Sequence, residues 1–333
     1  MADFAHEQTD NIILRIEKRL KKEYRQAVKE VEKKLDAYLA SFTVKNAQMQ
    51  YKLLHDYISL NEYIEWKKAQ IATGKRWEDM KDTLAKDYHN TNMIAQSIIK
   101  GYMPEVYALN HNFATYQIEH DSLIDTSYTL YSRETVERLM RDDPTLLPPL
   151  GKRMAKRAAE KKDILWNKQQ LQSLMTQSIL QGESIPHIAK RISLTLGEKN
   201  HANAVRTART MATSAQNGGR QDAYTRVANK GIKLRKTWVA TLDNRTRHMH
   251  RLLDGQTVDY DKPFEVEGYE IMFPGDPTAE GFLVYNCRCT TIAQVPGHEI
   301  DTTAYRTDPG YGDMTYEEWK EAKPVYKKKG KSK

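Results

Sequence analysis

Apolar residues recur at Ile12, Ile16, Leu20, Tyr24, Val28, Val31, Leu35 and Leu39, a three-to-four spacing that gathers side chains onto one stripe of an α-helix. One long amphipathic helix is the expectation. Its other faces carry Arg15, Lys18, Arg19, Lys21, Lys22, Arg25 and Lys29 among interspersed glutamates. That surface suits either a solvated bundle helix or contact with DNA, for which Lys18, Arg19 and Lys22 are candidates. Further helices are predicted over Leu53 to Ala72, Trp77 to Tyr88 and Met93 to Ile99, with Gly101 and Pro104 punctuating the pattern. SYTLYS, Ser127 to Ser132, alternates like an extended segment, and Ser132 suits the N-cap of a helix running through Met140.

The proline cluster Pro144, Pro148 and Pro149 cannot continue a helix, and a basic run follows it, so a boundary is expected near residue 150. Three helices are then predicted: Ile164 to Leu180, Ile185 to Ile192, and about Asn200 to Asn229. The last places Ala204, Ala208, Ala212, Ala215, Gly219 and Ala223 on one face, where small side chains permit close packing. After Gly231 the period changes. Ile232 to Val239 reads as a strand, Asp243 and Asn244 turn the chain, and Thr246 to Leu253 forms a short helix closed by Gly255. Phe264 to Phe273, centred on Gly268, reads as a hairpin, and Cys289 to Val295 as a closing strand. The expected class is α+β: a helical N-terminal region, then a C-terminal domain of helices packed on a small β-sheet.

Length leaves room for about two domains. The hydrophobic fraction is 39% and the charged fraction 29% of 333 residues, which favours elongated helices over one large core. The formal charge of +8 fits either a solvated surface or a polyanionic neighbour. Basic residues gather in Lys18 to Lys34, in Lys152 to Lys162 and in the tail, where Lys327, Lys328 and Lys329 are further candidates for DNA contact; the tail's end has little to bury and is expected to be disordered. No apolar run approaches the ~18 residues of a membrane span, so the expected locations are the cytoplasm of the producing cell or a particle assembled there. The chain has 19 Tyr against 6 Phe and 5 Trp, which suits half-buried or partner-contacting surfaces.

The two cysteines, Cys287 and Cys289, are separated by one residue and are strained as a mutual disulfide. With His250 or His248 they supply zinc-type ligands, for which the fourth would come from Asp254, Asp276 or the other histidine. The competing reading makes the cysteines small buried residues. Asp243, His250 and Asp254 also form a conceivable acid/base cluster, but turn chemistry accounts for both aspartates. No phosphate loop, nucleophile elbow or H-E-x-x-H pattern is present. Arg206, Arg209 and Arg220 share a helical stripe and suit either pairing with Asp243 or Asp254 or contact with phosphate, of which the internal ion-pair network is the expectation.

Three blocks, WVATLDNRTRHMHRLLDGQTV, FEVEGYEIMFPGDP and YNCRCTT, follow WNKQQLQSLMTQSILQGESIPHIAKRI and RTARTMATSAQNGGR in order. Together they resemble the phage Mu F-like head morphogenesis proteins, from about Leu165 to Pro296 and more weakly back to Tyr102. The motif positions carried over are Arg209, Trp238, Asp243, Arg245, Arg247, Asp254, Gly255, Pro274, Gly275, Asp276, Pro277 and Asn286, all in structural roles. Some family members have a histidine just before NCRC, where this chain has Tyr285.

The resemblance implies a non-enzymatic minor head protein at the portal vertex. Its expected partners are the portal protein, capsid or scaffolding protein and double-stranded phage DNA bound without sequence preference, with the virion as its location. The implied layout is 1–125 helical, 126–163 an extended segment, helix and basic linker, 164–297 the family domain, and 298–333 a basic tail. No cofactor is implied beyond the candidate zinc. The alternatives are a metal-dependent enzyme acting on nucleic acid or nucleotides, and a plain DNA-binding protein.

Overall fold

The computed structural model describes residues 3–122, 125–142, 162–297 and 315–325. The proline cluster, the basic run from 152 to 161 and Lys327, Lys328 and Lys329 lie outside them. The described elements are α1 (Phe4–Ala40), α2 (Thr43–Leu54), α3 (Leu60–Ile71), α4 (Lys75–Ser122), α5 (Arg133–Asp142), α6 (Lys162–Leu180), α7 (Ile185–Ala228), β1 (Arg235–Val239), α8 (His248–Leu253), β2 (Thr257–Asp259), β3 (Phe264–Val266), β4 (Tyr269–Ile271), α9 (Gly281–Val284), β5 (Thr290–Gln294) and α10 (Tyr316–Ala322). The class is α+β, as the periodicity predicts. Among the described residues, no helix is long and apolar enough to cross a membrane.

The helix boundaries differ from the sequence expectation in an instructive way. The segments expected around Trp77 to Tyr88 and Met93 to Ile99 are one helix, α4, which continues through Gly101 and Pro104. A proline removes one backbone donor, but Met103, Val106 and Tyr107 are buried on both sides of it, and Arg133 donates to the Gly101 carbonyl at 3.0 Å. Likewise, the two helices expected between Ile185 and Asn229 are the single helix α7. A glycine costs about 1 kcal/mol in a helix interior, and burial of Ile188, Ile192 and Leu196 on one side of Gly197 and Ala204 and Ala208 on the other outweighs it. The stretch expected as one helix from Leu53 to Ala72 is instead interrupted. Ser59 caps α3 reciprocally with Glu62, so the helix restarts there.

The chain divides into two compact units. One comprises Lys18–Ile98 and Arg153–Val205; the other comprises Met1–Glu17, Ile99–Lys152 and Arg206–Lys333. In the first, the α1 stripe Val31, Leu35 and Leu39 packs with Trp77, Leu84 and Tyr88 of α4, Leu171 and Met175 of α6, and Ile188 and Ile192 of α7. A chain of polar groups links its helices: Tyr24 donates to Asn92, and Asn92 and Asn167 both meet Asn200.

In the second unit, β1 is the middle strand of the antiparallel order β2-β1-β5, with Trp238 opposite Thr291 and Thr237 opposite both Thr257 and Ile292. β3 and β4 form a separate hairpin that turns through Glu267 and Gly268, both at positive φ. The small-residue face of α7 allows close approach to α4: a Cβ on Gly219 would lie 2.6 Å from the Tyr107 carbonyl oxygen. SYTLYS is extended, with Leu130 bridged to Val325. Ser132 accepts from the Thr135 amide at 3.2 Å, in the N-cap role expected of it. Within the segment read as tail, α10 buries Tyr316 and Trp319 in an aromatic cluster with Phe113, Tyr116 and Tyr128.

Candidate metal centre

His250 is brought inward by α8, a short helix that starts after the extended residue Arg247. Cys287 follows the single turn α9, and Cys289 immediately precedes β5. All three are buried, at 2 to 3% exposure. The His250 Nδ1 lies 3.3 Å from Cys289 Sγ and 3.6 Å from Cys287 Sγ, and the three ligand atoms all lie within 4.8 Å of one another. His250 Nε2 sits 3.0 Å from the Leu283 carbonyl oxygen. A carbonyl only accepts, so Nε2 carries the proton and Nδ1 turns its lone pair toward the sulfurs.

Two further contacts hold the ring. Trp238 packs edge-on against it, with centroids 5.8 Å apart. Arg247 donates to the Phe282 carbonyl at 2.8 Å and to that of Tyr285, tying the start of α8 to the turn that leads into the cysteines. The thiols are unequal. Burial and the neighbouring Cys289 push the Cys287 thiol well up. Cys289 goes well down, because the Cys287 hydrogen bond, with His250 and Trp238, outweighs burial.

The other ligands considered from the sequence are elsewhere. Asp254 accepts from the Ala240 amide at 2.8 Å. Asp276 accepts from the amides of Met272 and Thr278 at 3.0 and 2.8 Å. His248 is exposed and sits 3.6 Å from Glu267. The acid/base cluster therefore does not assemble: Asp243 forms a two-pronged pair with Arg288 at 2.7 and 2.8 Å, which holds its carboxyl far below the usual range, while His250 faces sulfur.

The arginine stripe on α7 also pairs differently from expectation. Arg209 meets Glu17 at 2.8 Å, Arg220 meets Asp3 at 2.7 Å, and Arg206 is exposed. Arg209 and Arg220 thus reach Glu17 on α1 and Asp3 just before it, not Asp243 or Asp254. Arg288, between the two cysteines, is the partner that the stripe argument missed. The signal for it was a cation inside the turn motif itself.

The remaining motif residues shape the backbone. Gly255, at φ +80°, donates to the Trp238 carbonyl at 2.9 Å. Arg245 closes the Asp243 turn through its amide, at 2.9 Å. Pro274 is buried and Pro277 half-buried, and together they frame Gly275 and Asp276. Gly275 combines φ +84° with no room for a side chain, since a Cβ would come within 2.9 Å of the Ser214 nitrogen. Asn286 adopts φ 55°, and its amide donates to Thr210 at 3.1 Å. Of the candidate DNA contacts, Lys18, Arg19 and Lys22 are exposed on α1.

Residues 169–292 match the family described as Phage Mu protein F like protein. The chain is 25% identical over 323 residues to the Minor head protein GP7 of Bacillus phage SPP1, covering 94% of each chain. It is also 30% identical over 228 residues to the NAD(+)--arginine ADP-ribosyltransferase EFV of Enterococcus faecalis (strain ATCC 700802 / V583), a match covering 67% of this chain but only 44% of that protein. The chain thus spans less than half the length of that relative and nearly all of the phage protein. No solved structure matches the chain significantly. The motif order read along the sequence and the matched stretch coincide: residues 169–292 are similar to the phage Mu protein F like family.

Proposed function

We propose that this protein is a structural minor head protein of a tailed bacteriophage, built into the procapsid at the portal vertex and retained in the virion. One observation carries the reading: the correspondence with the SPP1 minor head protein runs over 94% of both chains, so it includes the helical region as well as the family domain. Portal protein and capsid or scaffolding protein are its partners in this proposal, met in the host cytoplasm during assembly. The exposed basic side of α1, including Lys18, Arg19 and Lys22, supports sequence-indifferent contact with the packaged DNA, because lysine and arginine neutralise phosphates irrespective of base.

A second reading, an ADP-ribosyl transfer enzyme, is favoured by the Enterococcus relative's name alone. The match leaves more than half of that protein without a counterpart here. In the head-protein reading the chain does not turn over NAD.

Quantitative mass spectrometry of density-purified procapsids and virions tests the proposal. A low, fixed ratio to portal and major capsid subunits in both particles is expected. Absence from both, or NAD consumption by the purified chain with an arginine-containing acceptor, overturns it.

A further inference from the structure

We propose that His250 Nδ1, Cys287 Sγ and Cys289 Sγ coordinate one zinc(II) ion, a structural site that clamps α8 to the turn before β5. Zinc–sulfur bonds of about 2.3 Å and zinc–nitrogen bonds of about 2.0–2.1 Å at tetrahedral angles place neighbouring ligand atoms roughly 3.5 to 3.8 Å apart. The two nitrogen–sulfur separations here, 3.3 and 3.6 Å, are close to that edge length, so a small contraction or expansion of the cluster suffices to admit the ion.

The imidazole is already prepared for the role. Its Nε2–H is committed to the Leu283 carbonyl, the outer-shell arrangement that fixes a ligating histidine's tautomer and ring plane. A hydrogen-bonded trio engages Nδ1 with one thiol proton at a time, whereas zinc employs all three atoms at once.

Among the described residues no fourth histidine, cysteine or carboxylate joins the group, so the trio supplies three of the four positions zinc prefers and leaves the fourth to an exogenous ligand. On binding, any proton still on either sulfur passes to solvent, two thiolate–zinc bonds and one imidazole–zinc bond form, and no electron is transferred. The gain is structural. The surrounding elements are short: α8 has six residues, and β3 and β4 have three each. Their shared apolar cluster contains the two cysteines themselves, so a crosslink at its centre reinforces a core of limited size.

The site does not depend on the head-protein reading, and its test uses the full chain. The protein is purified from zinc-supplemented cells, dialysed and assayed by elemental mass spectrometry, and its thiols are alkylated with and without a zinc chelator. Expected are about one tightly held zinc per chain and alkylation of Cys287 and Cys289 that accelerates only with chelator. Cobalt(II) exchange is expected to give tetrahedral d–d bands with sulfur-to-cobalt charge transfer. Cys287→Ser and His250→Ala are expected to lose the metal. Because these variants can also fail to fold, Cys289→His, which keeps a ligand atom, is expected to retain zinc while its cobalt form loses part of the charge-transfer intensity. Wild-type protein that carries no zinc after dialysis, with alkylation indifferent to chelator, overturns the proposal.

Discussion

Replacing Asp3 tests whether the start of α1 is an integral part of the second unit. Its carboxylate and the Arg220 guanidinium are both almost fully buried, at 1% and 0% side-chain exposure. They form two parallel hydrogen bonds of 2.7 Å. Beyond that pair Arg220 donates to Asn110, at 3.1 Å, and to the Thr291 carbonyl, at 2.9 Å. Removing one partner of a buried ion pair strands the other charge and costs about 3–5 kcal/mol. At about 2–4 °C per kcal/mol for units of 150–250 residues, Asp3→Ala is expected to lower the calorimetric midpoint by about 6 to 20 °C.

Asp3 also accepts from the His6 amide at 3.0 Å. Asp3→Asn keeps an acceptor there and isolates the charge. The double variant Asp3→Ala/Arg220→Met removes both charges and is expected to recover much of the loss, because no ion is then stranded. The pH dependence has a definite sign. Burial raises the Asp3 carboxyl, but Arg220, by charge and hydrogen bonding, and His6 outweigh it, so the net shift is downward. The pair's contribution is therefore present above the unfolded value of about 3.9 and is lost as pH falls through the lower folded value. A loss below about 1 kcal/mol for Asp3→Ala, with a double variant no more stable than the single, refutes the argument.

Gly219→Ala is expected to destabilise by about 1–3 kcal/mol in urea titrations, since the new Cβ would fall 2.6 Å from the Tyr107 carbonyl oxygen on α4; an unchanged midpoint would show that the helices can part freely. Trp319→Ala is expected to cost about 3–5 kcal/mol, because the ring is 5% exposed and its indole N–H donates to Glu119 at 2.7 Å. A near-neutral result would mean that α10 contributes nothing to the aromatic cluster. On DNA, the combined Lys18→Ala/Arg19→Ala/Lys22→Ala variant is expected to weaken binding equally across sequences and to reduce the salt slope by up to about 2.7, at about 0.9 per phosphate contact. An unchanged slope in a fluorescence anisotropy titration removes α1 from the DNA reading.

What the sequence disclosed and what it withheld follow from locality. The α1 stripe, the Ser132 cap, the Gly268 hairpin and the strand at β5 are local patterns, and each is present. Breaks expected at Gly101 and Pro104 and between Ile192 and Asn200 are absent, because a propensity penalty of about 1 to 3 kcal/mol is small beside the burial of whole helix faces, which no local window displays. The interruption before Ser59 had a local signal in the capping-box spacing Ser59 to Glu62. The pairing of Asp3 with Arg220 joins residues 217 apart in the chain and left no trace in spacing. The convergence of His250 with Cys287 and Cys289 was legible as residue types, since zinc-type ligands clustered in one block. The exclusion of Asp254, Asp276 and His248 was not, because it depends on which backbone amides and side chains they already serve.

The order of the family motifs acquires a physical reason when α7 is followed along its polar side. Thr210 accepts from the Asn286 amide, Thr213 donates to the Cys287 carbonyl at 2.6 Å, and Ser214 donates to the Gly275 carbonyl at 2.6 Å. Asn217 donates to the Cys289 carbonyl at 3.2 Å and accepts from the Thr290 hydroxyl and the Thr291 amide. Four residues within two helical turns thus bind the backbone of both PGDP and NCRC, where positive φ at Gly275 and Asn286 leaves carbonyls and amides without strand partners. Unpaired buried backbone groups cost about 1–3 kcal/mol each, so these turns are tolerable only against a helix presenting hydroxyls and an amide at that spacing. RTARTMATSAQNGG and the two turn motifs are therefore complementary halves of one contact. The Cys287 and Cys289 sulfurs are aimed at His250 because the carbonyls of the same two residues are held by Thr213 and Asn217 on α7.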